Sequence, residues 1–390
     1  MKITTVRCFK LTGNASYGAT EERKVDLLDA YPALTARKPG DRTPDGRVSA
    51  TYVEVLTDSG FSGLFGPIFD EAASLIHRLT PALIGKDPRA YEYLWDLLYR
   101  HAYAFGGGGS KGYQMMAISA LDLALWDLRG KIAGQPVCAL IGGPVQSSIR
   151  CYASMLGFSI EPERVRERAR QMVERGYAAQ KWFFRYGPAD GIEGIQKNVT
   201  LVRTVREAVG PDIEIMFDCS MAWDTAYTIR MLERIEEFRP YWLEEPLLPD
   251  GIANLAAIRQ STRIPLAAGE HEYTRWSFQQ LLQANAVDVV QPDPEWCGGL
   301  TETLKICTLA SAYGRPVFPH GHSISAAWNL LCAQPPTVCP MLEFLWNFQP
   351  LAQHFHARYI EPVNGLLGIP QATGLGIELD PAKIDLRIEL

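Results

Sequence analysis

Apolar and polar residues alternate at the start of the chain, in Ile3-Thr4-Thr5-Val6 and again in Thr51-Tyr52-Val53-Glu54-Val55 before the turn Asp58-Ser59-Gly60. A period of two marks half-buried strands. Between them lies a long polar stretch, residues 13–47, rich in Arg, Asp, Pro and Gly; a segment of that length reads as a lid or as irregular chain. From Glu71 the spacing turns helical as far as Lys131, broken at Gly106-Gly107-Gly108-Gly109. That run lacks the Gly-Lys-Ser/Thr ending of a phosphate loop and reads as a turn. Eight strand candidates follow, at 149–152, 179–183, 213–218, 241–244, 265–270, 287–293, 316–320 and 341–344. Helical patterns such as 165–175, 231–238 and 300–312 separate them. Regular βα alternation with right-handed crossovers puts all strand C-termini on one face. The expected fold is therefore α/β, a modified (β/α)8 TIM barrel over residues 131–360. An α+β capping domain is expected over 1–130, with a C-terminal segment, 361–390, returning to it.

At 390 residues the chain exceeds a bare barrel, which needs about 250, so a second domain is accommodated. A net charge of −6 with no broad basic face argues against nucleic acid as a partner. No apolar run approaches a membrane span, and Met1-Lys2-Ile3-Thr4-Thr5-Val6 is a strand pattern rather than a signal peptide. These features predict a cytoplasmic protein with no membrane partner. The eight cysteines form no Cys-x-x-Cys pair, and buried free thiols account for them better than a zinc site does.

Three of the predicted strands end on an acid: Asp218, then Glu244 and Glu270, each 26 residues after the last. At one barrel mouth three carboxylates repel unless a hard cation neutralises them. The pattern predicts a Mg²⁺ site. Later strand ends add Asp293, His320 and Glu343. An Asp beside a His orients the imidazole and strengthens its hold on a proton, which suits acid/base work near neutral pH. Lys181 on the second strand aims a cation at the same mouth, and Lys with a divalent metal favours an anionic substrate.

The chain resembles the enolase superfamily, mandelate racemase subgroup. The resemblance spans the whole chain and is carried by residues 117–127, Gly142-Gly143-Pro144, Glu244-Glu245-Pro246 and Gly269-Glu270-His271. It implies Asp218, Glu244 and Glu270 as Mg²⁺ ligands and Asp293 with His320 as the proton-transferring dyad. It further implies that Glu343 hydrogen-bonds the enediolate oxygen and Lys181 the substrate carboxylate. Within the subgroup, residues 181–188, Gln291-Pro292-Asp293, residues 296–301 and Pro319-His320-Gly321 look most like the L-rhamnonate dehydratase group of sugar-acid dehydratases. One departure from the racemase pattern matters: the second lysine of its Lys-x-Lys strand falls on Phe183. Phenylalanine moves no proton, so elimination of the β-hydroxyl to a 2-keto-3-deoxy acid is favoured over epimerisation. A racemase of the same fold, or an idle acid-sugar binding protein, remains the alternative. Homo-oligomers are common in the family.

Other residues carry weaker signals. Glu245 adjoins a proposed ligand but points to the opposite side of a regular strand, which suggests a structural role. His271-Glu272 resembles a zinc-protease fragment, but position 275 is Arg. His271 and His322 are pocket candidates set against buried structural histidines. Arg185 keeps strand parity with Lys181 and is expected either at distal hydroxyls or in a salt bridge. Arg42 and Arg47 could reach over the pocket from the polar stretch. The tryptophans, Trp182 and Trp346 among them, read as packing.

Overall fold

The computed structural model describes residues 1–15, 20–31, 46–106, 109 and 111–390. The cap begins with the antiparallel strands β1 (Ile3–Asn14), β2 (Arg47–Thr57) and β3 (Ser62–Ile68). Three helices follow: α1 (Asp70–Leu83), α2 (Tyr91–Gly106) and α3 (Gly112–Ala133). Every residue of α3 from Ala117 to Gly130 is buried, so this helix runs through the core rather than along a surface. Its acids are satisfied there and tie the two domains together. Asp127 accepts hydrogen bonds from the backbone N–H groups of Leu64 and Leu375, each at 2.8 Å. Asp122 accepts from Thr301 N at 2.9 Å and Thr301 Oγ1 at 2.6 Å.

The second sheet is parallel and curled. It comprises β4 (Ile149–Ser154), β5 (Ala179–Phe183), β6 (Glu214–Asp218), β7 (Trp242–Glu244), β8 (Leu266–Ala268), β9 (Val289–Val290) and β10 (Leu342–Leu345). The order is β10-β4-β5-β6-β7-β8-β9, and β11 (Leu366–Leu367) pairs antiparallel with β4. Seven of the eight expected barrel strands are present. The other, 316–320, contributes a single bridge, Val317 to Val290. Pro316 and Pro319 flank that bridge and lack the N–H a ladder needs, which explains the shortfall. The chain ends in β12 (Leu386–Glu389), which adds to the edge of β1 with Phe9 opposite Glu389. The tail thus returns to the cap, after β11 has touched the barrel. No helix among the described residues is long and apolar enough to cross a membrane. All eight cysteines are buried and free.

Candidate active site

Side chains alternate across a strand, so residues two apart share a face. Inside the barrel Tyr152, Ala179, Met216, Trp242, Val289 and Met341 form one buried apolar cluster with Ala267 and Phe318. Stepping two residues toward the strand C-termini gives Ser154, Lys181, Asp218, Glu244, Gln291 and Glu343, also buried. The apolar layer is the floor on which the polar layer stands.

Lys181 is the hub of that polar layer. Its Nζ lies 2.5 Å from Glu244 Oε1, 2.8 Å from Glu343 Oε1 and 3.7 Å from Asp218 Oδ2. Burial disfavours the ammonium, but Glu244 and Glu343 hold it charged well above its usual range. Glu244 Oε2 accepts from Trp242 Nε1 and from Gln291 Nε2, both at 2.8 Å. Glu343 Oε2 accepts from Gly321 N at 2.9 Å. Asp218 Oδ1 accepts from Ser220 N at 2.7 Å. Lys181 therefore engages the acid cluster directly rather than standing free at the opening.

His320 and Asp293 lie across the mouth. His320 Nδ1 is 2.7 Å from Asp293 Oδ2, and His320 Nε2 is 3.4 Å from Glu270 Oε2. Burial lowers the affinity of this imidazole for a proton, but Glu270 and Asp293 outweigh it and raise its pKa to about 10. Asp293 is opposed by burial yet held down to about 2 by hydrogen bonds from His320 and His322. His322 Nδ1 shares the same Asp293 oxygen at 3.2 Å.

Glu245 departs from its expected place. β7 stops at Glu244, and Glu245 takes a left-handed φ of 39°, which breaks strand parity. Its Oε2 reaches His271 Nδ1 at 2.9 Å, and Glu245, Glu270 and His271 bring ligand atoms within 4.8 Å of one another. It therefore joins the mouth instead of facing away. Parity reasoning missed it because a period of two holds only while the backbone stays extended.

Arg185 lies beyond the end of β5, where it pairs with Glu22 at 3.4 Å and Asp29 at 3.9 Å. It fastens the 20–31 segment over the barrel, as does Val25 N donating to Phe184 O at 2.7 Å. Glu270 is opposed by burial yet held down to about 2, chiefly by His320 and His271 and with smaller pulls from Lys181 and from Lys24 of that segment. Arg42 lies outside the described residues. Arg47 begins β2 and is exposed. Trp182 is core, but Trp296 is not mere packing. Its ring lies 5.4 Å from those of His271 and His320 and 4.7 Å from that of His322. Its buried Nε1 has no partner among the described residues.

The donor set suits a hard cation. Asp218, Glu244 and Glu343 face one buried ammonium, while Glu270 lies beside His271 and His320. Burial and the acids around it push the Glu244 carboxyl up to about 8, against the pull of Lys181. A cluster this short of positive charge, offering carboxylate oxygens, fits Mg²⁺.

Comparison with known proteins gives the same direction. Residues 164–383 match the family model of the enolase C-terminal domain-like region. Residues 44–142 match that of the mandelate racemase / muconate lactonizing enzyme N-terminal domain. The chain is 34% identical to an L-rhamnonate dehydratase of Saccharopolyspora erythraea, over 99% of this chain and 98% of the relative. It is also 34% identical to a D-galactarolactone cycloisomerase of Agrobacterium fabrum, over 86% of this chain and 90% of that one. Among solved structures, a Gibberella zeae rhamnonate dehydratase complexed with Mg superposes with a TM-score of 0.83 at 31% identity, covering 98% of this chain and 95% of its own.

Proposed function

Because the chain belongs to the enolase superfamily, in its mandelate racemase and muconate lactonizing enzyme branch, we propose that its buried acid cluster and His320–Asp293 pair perform Mg²⁺-dependent dehydration of a sugar acid. Asp218, Glu244 and Glu270 would hold the cation. Bound there, Mg²⁺ supplies positive charge to the substrate carboxylate and offsets the Glu270 charge that otherwise favours imidazolium.

The observation that carries this reading is the placement of His320 Nε2 at the mouth, with its Nδ1 fixed by Asp293 at 2.7 Å. That hydrogen bond fixes the ring, and with the Glu270 charge offset Nε2 would be available to take the C2 proton. As the proton leaves, negative charge moves from C2 onto the carboxylate oxygens. The Lys181 ammonium would lie beneath the place where that charge collects, where a preorganised cation lowers the barrier, while Glu343, held ionised against burial by Lys181, would position that ammonium rather than donate to the enediolate oxygen. The C3–O bond then breaks, the His320 imidazolium returns the proton to the departing hydroxyl, and water leaves. The enol tautomerises to the 2-keto-3-deoxy acid. His271 and His322 stand beside the pair, held by Glu245 and Asp293, and would contact substrate hydroxyls.

Racemisation requires a proton carrier on each face of C2. Phe183 occupies the position of the second lysine, its ring 5.3 Å from Lys181 Nζ, which favours elimination. A screen of aldonates with Mg²⁺, L-rhamnonate first, should yield a 2-keto-3-deoxy product. Run in D₂O, the same screen separates the rival: α-deuteration without keto-acid formation would identify a racemase or epimerase.

A further inference from the structure

The cap helix α2 packs Leu94, Trp95, Leu98 and Ala102 inward. Its outward stripe is Tyr93, Asp96, Arg100 and Tyr103, a spacing that keeps the side chains on one helical face. Tyr93 and Tyr103 are 52% and 49% exposed, and between them Asp96 accepts a hydrogen bond from Arg100 at 2.7 Å. Trp276, on the helix Thr274–Gln283 and 42% exposed, widens the patch. Its ring stacks on that of Tyr99 at 5.0 Å, and Tyr99 meets Tyr103 edge-on at 5.1 Å. Exposed tyrosine and tryptophan with an arginine among them are the composition of an interface rather than of a solvated face.

The order of the stripe identifies what covers it. Counted from Leu98, Asp96 and Arg100 stand two residues to either side, and Tyr93 and Tyr103 five. At a rise of about 1.5 Å per residue, the charges lie about 3 Å and the tyrosines about 7.5 Å from that level. A second α2 laid antiparallel on the first, with a two-fold axis at the height of Leu98, sets Asp96 against the partner's Arg100 and Tyr93 against the partner's Tyr103. An isologous interface demands this reciprocity, because each residue that meets another is met by it in return. A parallel pair would instead set like charge against like. The Asp96–Arg100 bridge is worth little while exposed, but in the antiparallel pair it joins a ring of alternating charges closed at both ends by tyrosines.

We propose that α2 is the self-association surface of this protein, two copies pairing antiparallel through the stripe Tyr93, Asp96, Arg100 and Tyr103. The inference is independent of the reaction. Its test follows the mass of the full-length protein by light scattering and sedimentation over a dilution series, where the wild type should assemble to twice the chain mass or a multiple of it. Asp96→Arg and Arg100→Asp each bring like charges together and should weaken that association by about 100-fold or more, halving the mass, with melting temperatures near wild type because both positions are exposed. Tyr93→Ser, which leaves the charges alone, should weaken it by about tenfold. Mixed in equal amounts, the two charge variants should form a heterodimer that neither forms with itself. The bridge within each helix stays broken in that mixture, so recovery comes only from pairing between subunits. A monomeric wild type, an unchanged mass in either charge variant, or a mixture that stays dissociated would overturn the proposal.

Discussion

Tyr152, Met216, Trp242 and Met341 fill the lower layer of the barrel, while Ser154, Asp218, Glu244 and Glu343, each two residues further along the same strands, fill the upper. Both layers are buried, yet they contribute oppositely to folding. The lower gains from removing apolar surface from water. The upper places several carboxylates around one ammonium in a space that solvates none of them, and buried charge of this kind costs stability unless it is paired. The contrast shows where the fold is made and where it is strained for chemistry, only one pleat apart.

The largest effect should come from the dyad above both layers. His320→Asn should lower kcat about 10³-fold or more, within the range of a lost general base or beyond it, with the melting temperature nearly unchanged. Full activity would contradict the assignment of the base. Next, Lys181→Met should cost about 3 to 5 kcal/mol in denaturant unfolding, because Glu244 and Glu343 lose their buried partner. A neutral outcome would mean the upper layer is not strained by charge. In the lower layer Met216→Ala should cost about 2 to 5 kcal/mol through a cavity. The two variants should part in their salt and pH response, flat for Met216 and steep for Lys181.

Magnesium sharpens the comparison further. At a concentration about 100 times its dissociation constant, it should stabilise the wild type by about 2.7 kcal/mol. Asp218→Asn should lose that increment while melting no lower than the wild type without metal, since one mutually repelling carboxylate is gone. Loss of stability in the metal-free variant would refute the charge argument. A further effect lies where His356 packs against Tyr52 of the cap. Burial pushes the His356 imidazole down to about 4, so the unfolded chain binds the proton first. Stability from this group is complete above pH 6.5 and is lost as pH falls toward 4, about 3 kcal/mol. His356→Gln should flatten that part of the melting profile, and an unchanged profile would show that the ring is already hydrated.

Much of this was legible beforehand because period-two and period-3.6 patterns report directly on which faces are buried. The barrel strands, the C-terminal return to the cap and the convergence of Lys181, Asp218, Glu244 and Glu343 follow from where each residue stands along its strand. The seventh strand is shorter than the apolar run 316–320 predicts, because Pro316 and Pro319 interrupt its ladder. Glu245 was misplaced because no pattern in Glu244-Glu245-Pro246 announces a left-handed residue. Arg185 and Trp296 lie beyond strand ends, where parity no longer assigns a direction.

The sequence by itself determined which residues alternate inward, and so the layered barrel and the acids at its mouth. Only the tertiary structure decided that Lys181 is enclosed by those acids and that Asp293 serves both His320 and His322. Periodicity is a property of neighbours along the chain, whereas these arrangements depend on where separate segments meet in space. Those meeting points are set by packing and by backbone turns that no local pattern encodes.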